Sequence, residues 1–235
     1  MKLATFNVRH FCRFDTNKVD YDSFADAIRS IDADIMGINE SFGQESIFAE
    51  LPQVRIIAEK LGYHWYFAPA LHVSGMGLYG NSLLSRYPIL NARSVPIPDP
   101  IRLPQYKHYE TRCVLLAEVE IEAGPLTLAV THFGLNPDEQ QMALQTVQSL
   151  IRTERFILMG DLNVTPENSI LVQIRERLYD TAEKLKEGTL SFPSDHPDRK
   201  IDYIFVSHDI DVSDADIPAI TVSDHRPYIL SLTLS

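Results

Sequence analysis

Apolar segments of strand length recur along the whole chain and alternate with only a few helical segments. Runs of apolar and β-branched residues predict strands at 2–8, 34–39, 64–69, 78–85, 89–97, 112–122, 126–131, 155–159, 201–206 and 228–234, with a further candidate at 210–215. Because so few helices cannot separate that many strands, the pattern predicts a mixed α/β fold in which two sheets pack on each other with helices outside.

Four helices are predicted from apolar residues at helical spacing. The first follows Asp20 as N-cap, the second runs from about Ser46 to Leu61, and the third has Asn136 as N-cap with Pro137 in its first turn. The fourth opens at residues 165–167, and a hairpin turn is expected at Gly124-Pro125. No repeat, low-complexity tract or Gly/Ser linker divides the sequence, so we expect one domain over residues 1–235.

Composition excludes several classes of protein. The chain of 235 residues is 45% hydrophobic and 23% charged, which is typical of globular domains. Two cysteines, Cys12 and Cys113, cannot make a disulfide framework or a four-cysteine zinc site. The first residues do not resemble a secretory signal, and no run approaches the roughly 20 apolar residues of a membrane span. We therefore expect a soluble cytoplasmic protein, and the sequence does not indicate its oligomeric state.

The charge balance bears on the choice of partner. With 21 Lys and Arg against 32 Asp and Glu, the formal net charge is −11. A surface of that sign repels a polyanion at long range, so tight non-specific binding to duplex DNA is disfavoured. A basic rim around one site would still act at short range, which keeps a nucleic acid open as a partner.

Polar residues stand at the ends of several predicted strands. They are Asn7, Glu40, His132, Asp161, Asn163, Asp202, Asp224 and His225. Taken singly, each is more typical of a turn, a helix cap or a satisfied polar group. Taken together they indicate a site at one edge of a sheet, where the backbone fixes geometry and substrate can enter.

Seven short strings carry a resemblance to a known family. TFNVRH, INES, GNSLLSRYPI, VTHF, MGDLN, KIDYIFVS and SDHRPY occur in this order between residues 3 and 234. The sequence thereby resembles the endonuclease/exonuclease/phosphatase superfamily of metal-dependent phosphoesterases, which includes deoxyribonuclease I-like nucleases. The resemblance implies a four-layer α/β sandwich, with two packed mixed sheets flanked by helices, in agreement with the pattern of strands.

The resemblance also implies roles for the residues that match the motifs. Glu40 is then the principal Mg²⁺ ligand, with Asn7 close by and Asp224 on the other side of the site. His225 is a general base or a phosphate-polarising imidazole that Asp202 orients. The remaining matches are Asp161 with Asn163, which position and help to deprotonate the attacking water, and His132, which donates a hydrogen bond to a phosphate oxygen.

One position departs from the family pattern. Asn39 precedes Glu40 where the family usually has glutamine, a shortening by one methylene. The ligand itself is unchanged, so the departure bears on the surroundings of the metal. Hard oxygen ligands such as Glu40, Asn7 and Asp224 suit Mg²⁺, for which Mn²⁺ can substitute, whereas zinc prefers histidine and cysteine.

Contacts to the substrate are the least constrained part of the sequence. The candidates are Asn81, Arg112, Arg9, Lys107 and Arg199. Asn81 and Arg112 match family positions near the phosphate or beneath the metal site, and a structural role is an equal interpretation for both. Further basic residues that neighbour the motifs are His10, Arg13, Arg102, His108 and Lys200.

The sequence thus predicts a Mg²⁺-dependent phosphoesterase in which activated water attacks a phosphodiester or phosphomonoester directly. A small or lipid-linked substrate is favoured, because the net charge opposes a polyanion and no aromatic stacking platform for nucleic acid is evident. A DNA or RNA nuclease is one alternative. A binding protein that keeps the fold without catalysis is another, and the complete set of site residues argues against it.

Overall fold

The computed structural model describes residues 1–106 and 108–234. Within these residues the chain forms four α-helices and twelve strands. The helices are α1 (Tyr21–Ile31), α2 (Gln53–Leu61), α3 (Pro137–Leu150) and α4 (Ser169–Arg175). The strands are β1 (Lys2–Asn7), β2 (Ile35–Phe42), β3 (His64–Val73), β4 (Gly77–Ser85), β5 (Ile89–Pro96), β6 (Cys113–Ile121), β7 (Gly124–His132), β8 (Phe156–Asp161), β9 (Tyr179–Asp180), β10 (Asp202–Val206), β11 (Asp211–Asp216) and β12 (Tyr228–Thr233).

The described strands form two six-stranded mixed sheets. Their orders are β11-β12-β1-β2-β4-β3 and β5-β6-β7-β8-β10-β9. Each sheet contains one parallel pair near its centre, β1 with β2 and β7 with β8, and antiparallel pairs elsewhere. The predicted four-layer α/β sandwich is therefore confirmed.

Central strands are apolar on both faces because each face is covered. In β8, Ile157 and Met159 face the other sheet, whereas Phe156 and Leu158 pack in the cluster formed with α3 and α4. In β1, Leu3 lies between the sheets and Phe6 packs in the cluster formed with α1 and α2. Burial on both faces explains why these strands read as near-continuous apolar runs in the sequence.

Several predicted boundaries were wrong. α2 begins at Gln53 rather than near Ser46, because Pro52 lacks a backbone donor and restricts the residue before it. The turn between β6 and β7 is at Glu122-Ala123, with Gly124 already paired to Ile121.

Two further boundaries differ from expectation. α4 begins at Ser169, after Asn168, whose side-chain oxygen accepts the Ile170 amide at 2.9 Å and so caps the helix there. β2 continues past Glu40 to Phe42 instead of ending at that residue. Helix α3 starts as expected, with a capping box between Asn136 and Glu139.

Strand register brings the chemistry-bearing ends to one place. Asn7 lies opposite Asn39 in the β1–β2 pair, and Asp161 lies opposite both His132 of β7 and Asp202 of β10. Both parallel pairs thus end at the same rim of the sandwich, where one cleft collects residues from both sheets. No helix among the described residues has the length and apolar character needed to cross a membrane.

Candidate active site

Local backbone irregularities aim the polar side chains into the cleft. Glu40 has φ of 61° where the β2–β4 register shifts, so a bulge turns its carboxylate out of the sheet. Asn163, two residues after β8, also has positive φ, at 51°. Gly160 has φ of 144°, and a Cβ there would lie 1.8 Å from the Thr131 carbonyl oxygen. Only glycine fits at that position, which delivers Asp161 to the cleft.

Asn7 is the hub of the site. Its Nδ2 donates to Glu40 Oε1 at 3.0 Å and to Asp161 Oδ2 at 3.1 Å, and it lies 3.5 Å from His225 Nε2. Its side-chain oxygen accepts the Arg9 amide at 3.1 Å. One buried amide therefore connects the carboxylate at the end of each sheet.

A buried chain of ionisable groups lies on one side of this hub. His225 Nδ1 is 2.9 Å from Asp202 Oδ2, and His225 Nε2 is 3.6 Å from Asp161 Oδ2. Burial alone would lower the pKa of His225, but the two carboxylates outweigh it and raise the pKa to about 10. Burial, with Asp202 adding to it, raises the pKa of Asp161 to about 7. At neutral pH this arrangement holds a protonated imidazole beside a carboxyl group that is poised to gain or lose a proton.

His132 is held as a neutral imidazole. Burial, and then the positive charge of Arg112, keep its pKa well below the usual range. Arg112 donates to Nδ1 at 3.1 Å, so the ring proton belongs on Nε2, which faces Asp161 Oδ2 at 3.5 Å. Arg112 is itself buried and pairs with Glu110 at 2.6 Å. It supports His132 from below.

The carboxylates of Glu40 and Asp224 stand on the more open side of Asn7. Their side chains are 22% and 23% exposed. Burial raises the pKa of Asp224, and the negative charge of Glu40 raises it further. Arg9 offsets that charge only at 3.7 Å. Two neighbouring acids with one loosely placed cation fit a hard divalent ion with oxygen ligands.

A second cluster also has metal-ligand spacing. Ligand atoms of Asp161, Asp202 and His225 all lie within 4.8 Å of one another. However, His225 has a carboxylate near each ring nitrogen, at 2.9 and 3.6 Å, and their negative charge raises its pKa, which favours a protonated ring over a metal ligand. The donor set around Glu40, Asp224 and Asn7 is the better fit to Mg²⁺ or Mn²⁺.

Asn39 and Asn81 tie the two sheets together behind the site. Asn39 accepts the Asp161 amide at 3.0 Å and donates to the Thr131 carbonyl at 2.9 Å and to Asn81 at 2.8 Å. Asn81 in turn donates to the Cys113 carbonyl at 2.9 Å. Both groups of its amide thereby have protein partners, which favours the structural interpretation of Asn81 over a contact with substrate. It supports the site from the interior.

The two basic residues that precede Asp202 are engaged in contacts with the protein. Arg199 pairs with Asp198 at 2.7 Å on the surface and stacks over Phe192. Lys200 is buried, donates to the Asp202 carbonyl at 3.0 Å and lies 3.3 Å over the Tyr203 ring. These contacts favour a structural role for both residues over a contact with substrate.

The other basic candidates differ in their contacts and exposure. Arg13 is paired with Asp15 and Asp20. Arg102 stacks over the Tyr109 ring at 5.9 Å, in the same loop as the exposed His108. Lys107 lies outside the described residues.

The structure adds neighbours that the sequence did not indicate. His10 stands 3.7 Å from Glu40, and its ring packs against Phe42, Phe48 and Tyr79. No motif marks these aromatic residues. The sequence indicated only His10, as a basic residue close to the end of the first strand, and did not indicate its aromatic neighbours.

Comparisons with known proteins bear on the family and the fold. A model of the Endonuclease/Exonuclease/phosphatase family matches residues 4–225. No curated protein sequence matches the chain.

Similar solved structures share the fold at low sequence identity. An endonuclease/exonuclease/phosphatase from Beutenbergia cavernae is 23% identical with a TM-score of 0.82, over 100% of this chain and 71% of that one. A mannosyl-6-phosphatase from Bacteroides thetaiotaomicron is 19% identical with a TM-score of 0.80, over 100% of both chains. The human Nocturnin catalytic domain is 16% identical with a TM-score of 0.74, over 100% of this chain and 93% of that one.

Such likenesses concern the fold, because identity is below a quarter in each case. The family match covers most of the chain and includes the strings that carry the buried site. The chain therefore belongs to the endonuclease/exonuclease/phosphatase family.

Proposed function

We propose that this protein hydrolyses a small phosphate ester, with Mg²⁺ or Mn²⁺, by direct attack of water. The observation that carries the proposal is the contact of Asn7 with both Glu40 and Asp161, 3.0 and 3.1 Å away. It joins an open pair of carboxylates to a buried imidazole and carboxyl group within one cleft. Phosphoryl transfer needs that combination, since charge must be neutralised and water positioned at the same time.

Glu40 and Asp224, with Asn7 beside them, would hold the cation. When bound, the cation would neutralise charge on the phosphoryl oxygens and orient the ester. Arg9 would complement it from the Asp224 side, 3.7 Å away.

Asp161 is the group best placed to accept a proton from water. Its pKa near 7 makes it a competent base at neutral pH, whereas His225, with a pKa of about 10, enters the reaction protonated. As the water oxygen bonds to phosphorus and the bond to the leaving oxygen breaks, Asp161 takes one proton of the water, and the leaving group departs as an oxyanion that solvent protonates. His225 stabilises the negative charge that develops on phosphoryl oxygen.

His132 and Asn163 complete the surroundings of the phosphate. The Nε2 proton of His132 faces Asp161 Oδ2 and is available to a phosphoryl oxygen. Asn163 donates to the Phe133 carbonyl at 3.0 Å and lies 3.1 Å from His132 Nε2. The Asp202 carboxylate is hydrogen-bonded to His225 Nδ1 at 2.9 Å and acts by orienting that ring.

Charge favours a small or lipid-linked ester over duplex DNA. The net charge of −11 opposes a polyanion that carries one charge per roughly 1.7 Å of helix axis. A small ester needs only contacts that lie within a Debye length of about 8 Å. The mannosyl-6-phosphatase with the same fold illustrates a small phosphorylated substrate in this architecture.

A substrate screen tests the proposal. The metal-free protein is supplemented with Mg²⁺ or Mn²⁺ and assayed on bis-p-nitrophenyl phosphate, sugar and inositol phosphates, sphingomyelin, RNA and plasmid DNA. We expect small esters to have the higher kcat/KM at low and at moderate salt. Full turnover without metal would refute the mechanism, and DNA cleavage faster by about tenfold at both salt concentrations would favour a nuclease instead.

A further inference from the structure

His10 sits on a backbone that is unusual for its residue type. Arg9, His10 and Phe11 have φ values of 45°, 58° and 56°, all in the left-handed region. The Gln53 side chain reaches from α2 and donates to the His10 carbonyl at 2.8 Å. Left-handed non-glycine residues persist only where surrounding structure holds them, and they concentrate at functional sites.

The imidazole ring is fixed by three aromatic rings. Ring centroids of Phe42, Tyr79 and Phe48 lie 5.1, 5.4 and 6.0 Å from that of His10. Its Nδ1 is buried and has no hydrogen-bond partner among the described residues. The other ring nitrogen, Nε2, lies 3.7 Å from Glu40 Oε2. The side chain is 27% exposed, so the ring reaches the open side of the cleft.

These contacts decide where the ring proton resides. A buried N–H without an acceptor costs more than a buried lone pair without a donor. Nδ1 therefore carries the lone pair, and the proton sits on Nε2, at the edge that faces Glu40. His10 is thus a hydrogen-bond donor into the cleft and not a free metal ligand, because the ligating lone pair would have to come from that same Nε2.

We propose that His10 contacts the substrate and selects phosphomonoesters, its Nε2–H donating to a terminal phosphoryl oxygen. This inference rests on the proposed function. His10 and His132 each present Nε2–H, and His225 Nε2 adds a third imidazole around the Asn7 hub. A monoester offers three terminal oxygens to such donors. A diester offers two terminal oxygens. Its second ester oxygen is bonded to carbon and is a weaker hydrogen-bond acceptor.

Kinetics on two substrates with one leaving group test this inference. The substrates are p-nitrophenyl phosphate and methyl p-nitrophenyl phosphate, assayed with Mn²⁺. His10→Phe keeps a ring among the aromatic residues and removes the donor, whereas His10→Gln restores an N–H near the position of Nε2. His64→Phe, at an exposed site at the start of β3, is the matched control.

We expect His10→Phe to lower kcat/KM for the monoester by about 10- to 100-fold, the effect of losing a hydrogen bond to a charged group. The monoester-to-diester ratio should fall by about tenfold, and His10→Gln should recover most of it. Mn²⁺ affinity, measured by titration calorimetry, should change by less than about threefold. Thermal melting shows that each variant is folded.

Two results would overturn the inference, and a third would refute the proposed function alone. An unchanged monoester-to-diester ratio in His10→Phe means that His10 does not contact a terminal oxygen. A parallel loss on both substrates together with weaker Mn²⁺ binding makes His10 part of the cation site. If the wild type hydrolyses neither ester, the proposed function fails, and calorimetric binding of methyl phosphate against dimethyl phosphate still decides whether His10 provides the selectivity.

Discussion

The two sides of the Asn7 hub differ in how their charges are balanced. On the open side, which comprises Glu40, Asp224, Arg9 and His10, the carboxylates are about a fifth exposed and the nearest cation is 3.7 Å away. The sealed side comprises Asp161, Asp202, His225 and Lys200. The side chains of its two carboxylates and its histidine are at most 6% exposed. The open side is suited to exchange ligands with solvent. The sealed side is suited to fix the position of a proton.

Replacement of the sealed imidazole should have the largest effect. We expect His225→Ala to reduce kcat by at least about 10²-fold, the lower bound for general acid–base assistance. Asp202→Asn should act in the same direction, because it misorients the ring. Steady-state kinetics of both variants and of the double variant provide the measurement. Losses that simply multiply in the double variant would show that the pair does not work as a unit.

Glu40→Gln should weaken metal binding on the open side with little effect on folding. Mn²⁺ affinity should fall by at least about tenfold, since the variant lacks the principal anionic ligand. The unfolding free energy of the metal-free protein should change by less than about 1 kcal/mol, because a part-exposed charge near Asp224 contributes little to folding. Calorimetry and urea unfolding measure the two quantities. Unaltered Mn²⁺ affinity would place the cation elsewhere.

Ionisable groups of the sealed side should make the free energy of unfolding depend on pH. His225 has a folded pKa of about 10 against 6.5 for the free side chain, so its stabilisation is complete below 6.5 and is lost as pH rises to 10. Burial lowers the pKa of Lys200 to about 7 from 10.5, so the destabilisation caused by its buried charge is complete below about pH 7 and is lost as pH rises to 10.5. Each group contributes a slope of about 1.4 kcal/mol per pH unit, with opposite sign.

These opposed slopes predict a nearly flat stability profile for the metal-free wild type above about pH 7. Lys200→Met should expose the fall that His225 causes, and His225→Gln should expose the rise that Lys200 causes. Urea unfolding at several pH values up to about 9.5 checks both. Equal profiles for all three proteins would mean that neither group titrates as its surroundings indicate.

Substitution of the two arginine candidates should lower turnover less than substitution of His225. Arg199→Ala should change kcat/KM by less than about twofold, because an exposed pair with Asp198 contributes little. Arg9→Ala should cost about tenfold, since it removes the cation beside Asp224 and the phosphate. The same substrate assay measures both variants. A larger effect at Arg199 than at Arg9 would reverse the assignment of the open side.

Strand ends were the part of the site that sequence could locate. Asn7, Asp161 and His132 follow apolar runs directly, and strand register then brings them together without further information. The bulge at Glu40 was not visible, because a positive φ at a glutamate leaves no mark in a single sequence. The roles assigned to these residues, the single-domain organisation and a cytoplasmic location stay predictions.

Substrate contacts were harder to predict because sequence proximity does not set side-chain direction. Arg199 and Lys200 are adjacent, yet one is paired at the surface and the other is buried over Tyr203. Asn81 matched a motif, but its amide is consumed by partners far away in sequence. The start of α2 was misjudged for a local reason, the proline at 52.

The hydrogen bond between the Asp161 amide and Asn39 makes the opening of the cleft measurable. The Asn39 side-chain oxygen accepts the Asp161 amide, which belongs to the other sheet, in the buried space between them. That amide proton can exchange with deuterium only when the sheets separate locally, so its exchange rate measures how often the cleft opens. The exchange rate of this one amide would thus report local opening of the rim, and a ligand that holds the two sheets together would lower that rate.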